Sequence, residues 1–266
     1  MELPIYQVDA FTSEIFGGNP AAIVPLKEWL PDELMQNIAI ENNYSETAFF
    51  IPHKDSFYLR WFTPTYEIDL CGHATLATSH VILKELYPNR DEVKFYTNVA
   101  GELIVTKQDD SLEMDFPSRP GEKVDLNDIP EIVSEGLHGI KPTEAYKARD
   151  LMLIFDDEEI IKLVKPDFSK LIQYPHAVII TSESKEADID FVSRFLCAYD
   201  FSIPEDPVTG SAHCTLTPYW ADKLKKSELK AYQASLRGGN LECRLNGDRV
   251  YIKGQTKLYL KGTIYV

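Results

Sequence analysis

The sequence predicts an α+β protein of two similar halves, each a curved sheet wrapped around one buried helix. Three observations predict it. First, short β-rich runs with Val, Ile, Tyr and Phe at period two fill much of the chain, broken at Gly, Pro and Asn. Second, the helical stretch after Gly72 is apolar or small over too wide an arc for a surface helix, with Ala74, Leu76, Ala77, Val81 and Ile82 spread around it. Third, one unusual string occurs twice: Glu67-Ile-Asp-Leu-Cys71-Gly72-His73-Ala74 and, 138 positions on, Glu205-Asp206-Pro207-Val208-Thr209-Gly210-Ser211-Ala212. Each reads Glu, three residues, Cys or Thr, Gly, a polar residue and Ala, and each runs into a helix. So long a period indicates a duplicated domain, because solenoid repeats run at about 20–50 residues.

In chain order, strands are predicted at residues 5–11, 21–25, 45–51, 57–63, 93–98 and 102–107. A helix at 31–42 interrupts them, with Pro31 and the acids Asp32 and Glu33 suited to a first turn. The helix after Gly72 is the second. The stretch Phe116-Pro-Ser-Arg-Pro-Gly-Glu-Lys joins two prolines and a glycine and is the best linker. It divides the chain into an N-terminal domain of residues 1–116, completed by a last strand near 257–266, and a C-terminal domain of 117–256. Beyond it the pattern gives a helix at 126–136, strands near 145–148 and 151–155, a short helix near 158–164, a strand at 177–181 and a helix near 189–197. Gly210 then opens a helix to about Lys225, again with small residues near its start. Four strands end the chain, at 229–234, 241–245, 249–253 and 257–265, the last broken at Gly262.

The chain has 266 residues, 44% apolar and 26% charged, with a formal net charge of −15. Such a balance supplies an ample core, and the length suits two domains. It opposes nucleic acid and anionic membrane surfaces, which both need a positive footprint. No apolar run is long enough to span a membrane, and the acidic start is unlike a signal peptide. Cys71, Cys197, Cys214 and Cys243 lie far apart with no CxxC pair, which predicts free thiols in a cytoplasmic protein and no metal site. His73 and His80, seven residues apart, stand two helical turns apart with no third ligand following. Gly17-Gly18-Asn19-Pro20 lacks the spacing and lysine of a phosphate loop and reads as a turn presenting Asn19.

The repeated string carries the chemistry. Gly72 and Gly210 stand where a loop becomes a helix, where backbone N–H groups lack intrahelical partners and the dipole favours an anion. Two such helix starts meeting at a domain cleft would grip a carboxylate.

Seven strings stand in the order of the phenazine-biosynthesis isomerase (PhzF-like) family, which this chain resembles over nearly its whole length. They are Val8-Asp-Ala-Phe-Thr, Phe16-Gly-Gly-Asn-Pro20, Met35-Gln-Asn-Ile-Ala-Ile-Glu41, Ser45-Glu46-Thr47, Leu59-Arg-Trp-Phe-Thr-Pro64, Asp69-Leu-Cys-Gly-His-Ala-Thr75 and Glu205-Asp-Pro-Val-Thr-Gly-Ser-Ala212. The resemblance implies a diaminopimelate epimerase-like fold: two pseudo-symmetric domains, each a curved, largely antiparallel sheet around a central helix. It implies proton transfer at carbon without a cofactor, and a homodimer. The family's catalytic carboxylate falls on Glu46, and its neighbouring site residues on His73, Asp206, Gly210 and Ser211, with Asn19 on a loop lining the cleft. Related two-thiol epimerases place cysteines at the positions of Cys71 and Thr209. The second thiol is missing here, which opposes symmetric two-base racemisation.

Each residue also has a plainer reading. Glu46 enters an apolar strand, where burial would raise its pKa toward that of a useful base, or it faces water at a strand edge. His73, in a first helical turn, would be held neutral by the dipole and bind or shuttle a proton, or would cap its own helix. Asp206 suits a turn before proline and equally a role in orienting His73 or binding substrate. Ser211 would hold substrate or satisfy its own helix. Cys71 precedes a helix start that lowers a thiol pKa, or it fills a tight junction.

The reading that joins them is an isomerase that moves a proton between carbons of a small carboxylate-bearing metabolite. Glu46 is its acid and base, His73 and Asp206 assist, and Asn19, Gly72, Gly210 and Ser211 bind substrate. Cys71 and Thr209 are further candidates. The rival readings are a carboxylate-binding protein without turnover and a one-thiol epimerase using Cys71 with Glu46.

Overall fold

The computed structural model describes residues 1–197 and 203–266, which form two compact units. The first comprises Met1–Asp115 with Lys253–Val266, the second Phe116–Ile252.

In the first unit, β1 (Glu2–Ala10) pairs antiparallel with β2 (Asn19–Pro25). Helix α1 (Asp32–Asn42) then carries the chain to β3 (Thr47–His53), parallel to β2. Strand β4 (Ser56–Phe62) turns back on β3, and β5 (Glu67–Ile68) pairs with its end. Helix α2 (Gly72–His80), widening into a π-helical segment at Val81–Leu86, crosses to β6 (Glu92–Tyr96), parallel to β4. Antiparallel β7 (Glu102–Gln108) and β8 (Ser111–Pro117) follow.

The second unit repeats these pairings. Strands β9 (Glu122–Val124), β10 (Glu144–Lys147) and β11 (Leu151–Ile154) are antiparallel, with α3 (Glu131–Gly136) between β9 and β10. Helices α4 (Glu158–Leu163) and α5 (Phe168–Leu171) lead to β12 (Val178–Glu183), parallel to β11. Strand β13 (Phe191–Leu196) returns antiparallel and pairs with β14 (Glu205–Asp206). Helix α6 (Gly210–Leu224) crosses to β15 (Glu228–Gln233), parallel to β13, and β16 (Gly239–Asn246) turns back on it. The sequence β3–β4–β5–α2–β6–β7 of one unit is thus β12–β13–β14–α6–β15–β16 of the other.

Helix α2 is buried along its length, from His73 to His80, although five of those eight residues are polar. Its hydroxyls make this affordable by bonding carbonyls one turn back: Thr75 Oγ1 to Cys71 O at 2.5 Å, Thr78 Oγ1 to Ala74 O at 2.7 Å and Ser79 Oγ to Thr75 O at 2.8 Å. Strand β17 (Arg249–Tyr265) pairs with β1 over this helix, and a Cβ at Gly254 would lie 2.4 Å from Phe11 Cδ1 and 3.4 Å from Leu76 Cδ2. Only a residue without a side chain lets the strand pass so close.

Three expectations are corrected. The helix predicted near 189–197 is strand β13, all six residues of which are buried. Its apolar residues Phe191, Val192, Phe195 and Leu196 flank the polar Ser193 and Arg194, and that spacing of four mimics a helix. The two strands predicted at 249–253 and 257–265 are one, and Gly262 pairs with Ile5 instead of breaking it. The helix predicted at 126–136 splits into a 3₁₀ turn at Leu126–Asp128 and α3, because the residue before Pro130 avoids helical backbone angles. Strand β8 was not foreseen from its sequence.

Candidate active site

The leading glutamate of each repeated string turns out to be structural. Glu67 receives two hydrogen bonds from Arg60 of β4, from Nε at 2.7 Å and Nη2 at 2.6 Å. Glu205 receives the same pair from Arg194 of β13, at 2.7 and 2.8 Å. These two-pronged pairs fix the short strands that deliver each chain segment to its helix. The duplication therefore extends to an arginine that precedes each string, which the sequence comparison did not reveal.

In the first unit, Cys71 is the extended residue before α2, with no side-chain cap, and no acid occupies the first turn. The first-turn N–H groups at Gly72 and His73 therefore stay available to an anion. Glu46 reaches the same place from the other side. Asn43 ends α1 in the left-handed conformation, φ 51°, which turns the chain toward β3, and Ala22 N–H bonds the Glu46 carbonyl at 3.3 Å.

Four side chains meet there. His73 Nε2 stands 3.0 Å from Glu46 Oε2 and 3.4 Å from Ser45 Oγ, and its Nδ1 is 3.4 Å from Cys71 Sγ. Glu46 and His73 are each 4% exposed. The Glu46–His73 contact has ion-pair distance without hydrogen-bond alignment, so the buried Oε2 keeps an unused acceptor.

The charges differ from expectation. Burial pushes the Glu46 carboxyl up, as foreseen, but attraction to His73 and the nearby polar groups of His73, Ser45 and Cys71 outweigh it and hold the group below its ordinary value. Burial pushes His73 down, but Cys71 and Glu46 raise it well above its ordinary value. Each expectation treated one side chain alone, whereas together they form a carboxylate–imidazolium pair. Cys71 is corrected too: burial, then the charge of Glu46, raises its thiol to about 11, against any lowering by the helix start.

Asn19 does not stand on a loop. It begins β2 opposite Ala10 and is fully buried, after a turn at Gly18 whose φ of 61° and 2.1 Å approach of a virtual Cβ to Ala10 O demand glycine.

In the second unit Thr209 takes the place that Cys71 has in the first. Its hydroxyl donates to Asp206 Oδ2 at 2.5 Å, and buried Gln233 grips both: Thr209 N–H donates to Gln233 Oε1 at 2.9 Å, while Gln233 Nε2 donates to Asp206 O at 2.8 Å and Thr209 Oγ1 at 3.2 Å. Gly210 opens α6 without an acid in its first turn. Ser211 Oγ accepts from Arg149 Nη2 at 3.2 Å, and Asp150 holds that guanidinium. Ser45, Gln233 and Arg149 went unread in the sequence. Ser45 was adjacent to the candidate glutamate, but nothing local marks Gln233 or Arg149, which come from distant strands and loops.

The arrangement in the first unit can hold an anion at a helix start beside a cation and an unoccupied carboxylate oxygen. Glu46, Cys71 and His73 also offer donor atoms that all lie within 4.8 Å of one another, so these three could hold a metal ion.

A family model described as "Phenazine biosynthesis-like protein" matches residues 8–263. An uncharacterized isomerase of Pseudomonas aeruginosa is 46% identical over 267 residues, covering 100% of both chains. A crystal structure of a PhzF-family phenazine biosynthesis protein from Enterococcus faecalis matches with a TM-score of 0.94 at 45% identity, covering 100% of both chains. A hydroxyproline epimerase from Agrobacterium vitis matches at 11% identity with a TM-score of 0.63, covering 99% of this chain and 92% of that one, a likeness of fold alone.

Proposed function

The chain belongs to the phenazine biosynthesis-like family and is an isomerase acting on a small molecule, and from that premise we propose that it moves a proton between carbons of a small carboxylate-bearing metabolite without a cofactor. The observation that carries the reading is the buried Glu46 Oε2, free of hydrogen bonds, 3.0 Å from a cationic His73 at a helix start. In this reading the first-turn amides at Gly72 take the substrate carboxylate. Glu46, ionised, takes a proton from the adjacent carbon and becomes neutral. The negative charge then moves onto the substrate, where His73 and the helix start stabilise it. The Glu46 proton exchanges with solvent before Glu46 delivers a proton to another carbon, so one base serves both steps. In the second unit, Gly210 and Ser211 are proposed to bind substrate and Asp206 to relay protons. Asn19, being buried, is proposed to act by supporting the site.

Incubation with small carboxylic acids in deuterated water tests this. The native enzyme labels its substrate at carbon, and Glu46→Gln lowers labelling by about 10²–10⁴-fold, the usual weight of a general base. Full-rate labelling by that variant ends the proposal. The proximity of Cys71 Sγ to His73 Nδ1 gives a second reading, a one-thiol epimerase, although a thiol raised to about 11 is a poor base at neutral pH. Cys71→Ala with turnover intact removes it. A homodimer is also part of the proposal, supported by exposed Tyr259, Leu260 and Tyr265 along β17. Sedimentation at the 30.3 kDa of one chain would contradict it.

A further inference from the structure

The same three side chains have a second chemistry. We propose that Glu46, Cys71 and His73 form an inhibitory site for one soft divalent cation of the zinc and cadmium type. Zinc takes thiolate, imidazole and carboxylate ligands at about 2.0–2.3 Å, so two donors on one tetrahedral ion stand roughly 3.3–3.7 Å apart. Here Cys71 Sγ lies 3.4 Å from His73 Nδ1 and Glu46 Oε2 lies 3.0 Å from Nε2, on the other edge of the ring, so an ion taking one ring nitrogen requires the carboxylate or the ring to turn; one donor atom from each of the three already lies within 4.8 Å of the others. Among the described residues, no other group of three His, Cys, Asp or Glu side chains gathers in this way.

A second observation points to a ligand. Glu46 Oε2 is buried and makes no aligned hydrogen bond, its one close partner being the His73 ring, which a metal ion would replace as the counter-charge. Several terms oppose binding. The start of α2 disfavours a cation, and binding must release the thiol proton of Cys71, whose pKa is raised to about 11, and the imidazole proton of His73 to solvent. Against that, one thiolate and one carboxylate neutralise the ion's two charges, and soft metals prefer sulfur. The chain's net charge of −15 draws cations toward it. A bound ion would occupy the oxygen that the proposed function uses as its base, and would therefore block turnover. The coordination itself rests on geometry alone; only the inhibition rests on the proposed function.

Cadmium chloride titrated into the intact protein provides the test, read as the ultraviolet cadmium–thiolate absorption band. One equivalent should bring the band to saturation. Cys71→Ser should abolish it, Cys243→Ser should retain it, and Glu46→Gln should weaken binding about tenfold or more. No band at one equivalent in the native protein overturns the site, as does a band indifferent to Cys71→Ser or an affinity indifferent to Glu46→Gln. Circular dichroism of each variant separates lost ligation from lost folding; if Cys71→Ser unfolds, Cys71→Ala under the same titration decides. Cadmium binding with no deuterium labelling by any form would sink the proposed function and leave this site. Labelling that proceeds at full rate in the cadmium-loaded protein would refute its inhibitory role.

Discussion

Two pH edges follow from the Glu46–His73 pair, because the working state in the proposed reaction is carboxylate beside imidazolium. Glu46 is held below 4.5 and His73 above 6.5. Activity should therefore fall as pH drops through the lowered carboxyl value and again as it rises through the raised imidazole value, with a plateau that includes pH 4.5–6.5. The same signs govern stability. The carboxylate's contribution is full above 4.5 and lost as pH falls through its lower folded value. The imidazolium's is full below 6.5 and lost as pH rises through its higher one. His73→Gln removes the attraction and leaves burial in command of Glu46, so the acidic edge of kcat/KM should move up past 4.5. A pH–rate profile with that edge unmoved would show that the two groups are not coupled. The residue types of this pair were legible from the repeated string and the resemblance; their charges were not, since a pKa in a buried pair depends on the partner's position.

Secondary-structure elements make their own demands. Gly254 is set by the passage of β17 over Leu76 and Phe11. Gly254→Ala forces a methyl into that contact, and overpacking of this kind costs about 1–3 kcal/mol, measurable by chemical denaturation. An unchanged midpoint would mean that the strand can rise off the helix freely. The Arg194–Glu205 pair is largely buried, and Arg194 also bonds the carbonyls of Ile161 and Val164. Glu205→Gln leaves a buried guanidinium without its counter-charge, at about 3–5 kcal/mol, whereas the double variant Arg194→Met with Glu205→Leu should recover much of the loss. A double variant no more stable than the single one would show that the arginine matters for its carbonyl bonds more than for the charge. At this scale the reading of the chain succeeded where one face is apolar, as in α1, and failed at β13, where buried Ser193 and Arg194 leave the apolar residues four apart, as in a helix.

For the molecule as a whole, the charge of −15 opposes an anionic substrate until it reaches the local donors. Association of a carboxylate substrate should therefore quicken as salt rises from low to physiological strength, opposite to an electrostatically steered enzyme. Stopped-flow binding reads this directly, and a rate that falls with salt would show that local positive potential dominates outside the site. Among the described residues no helix is long and apolar enough to cross a membrane. The sequence by itself determined the repeated helix starts, the buried α2 and α6, the strand-rich halves and the candidacy of Glu46 and His73, because periodicity, glycine and local strings are properties of neighbours along the chain. Only the tertiary structure decided that Glu67 and Glu205 are structural, that Asn19 is enclosed, that Gln233 locks Thr209 and that Glu46 and His73 share one charge pair. Each of those depends on groups brought together from distant positions, and electrostatic energy is set by distance in space and by burial.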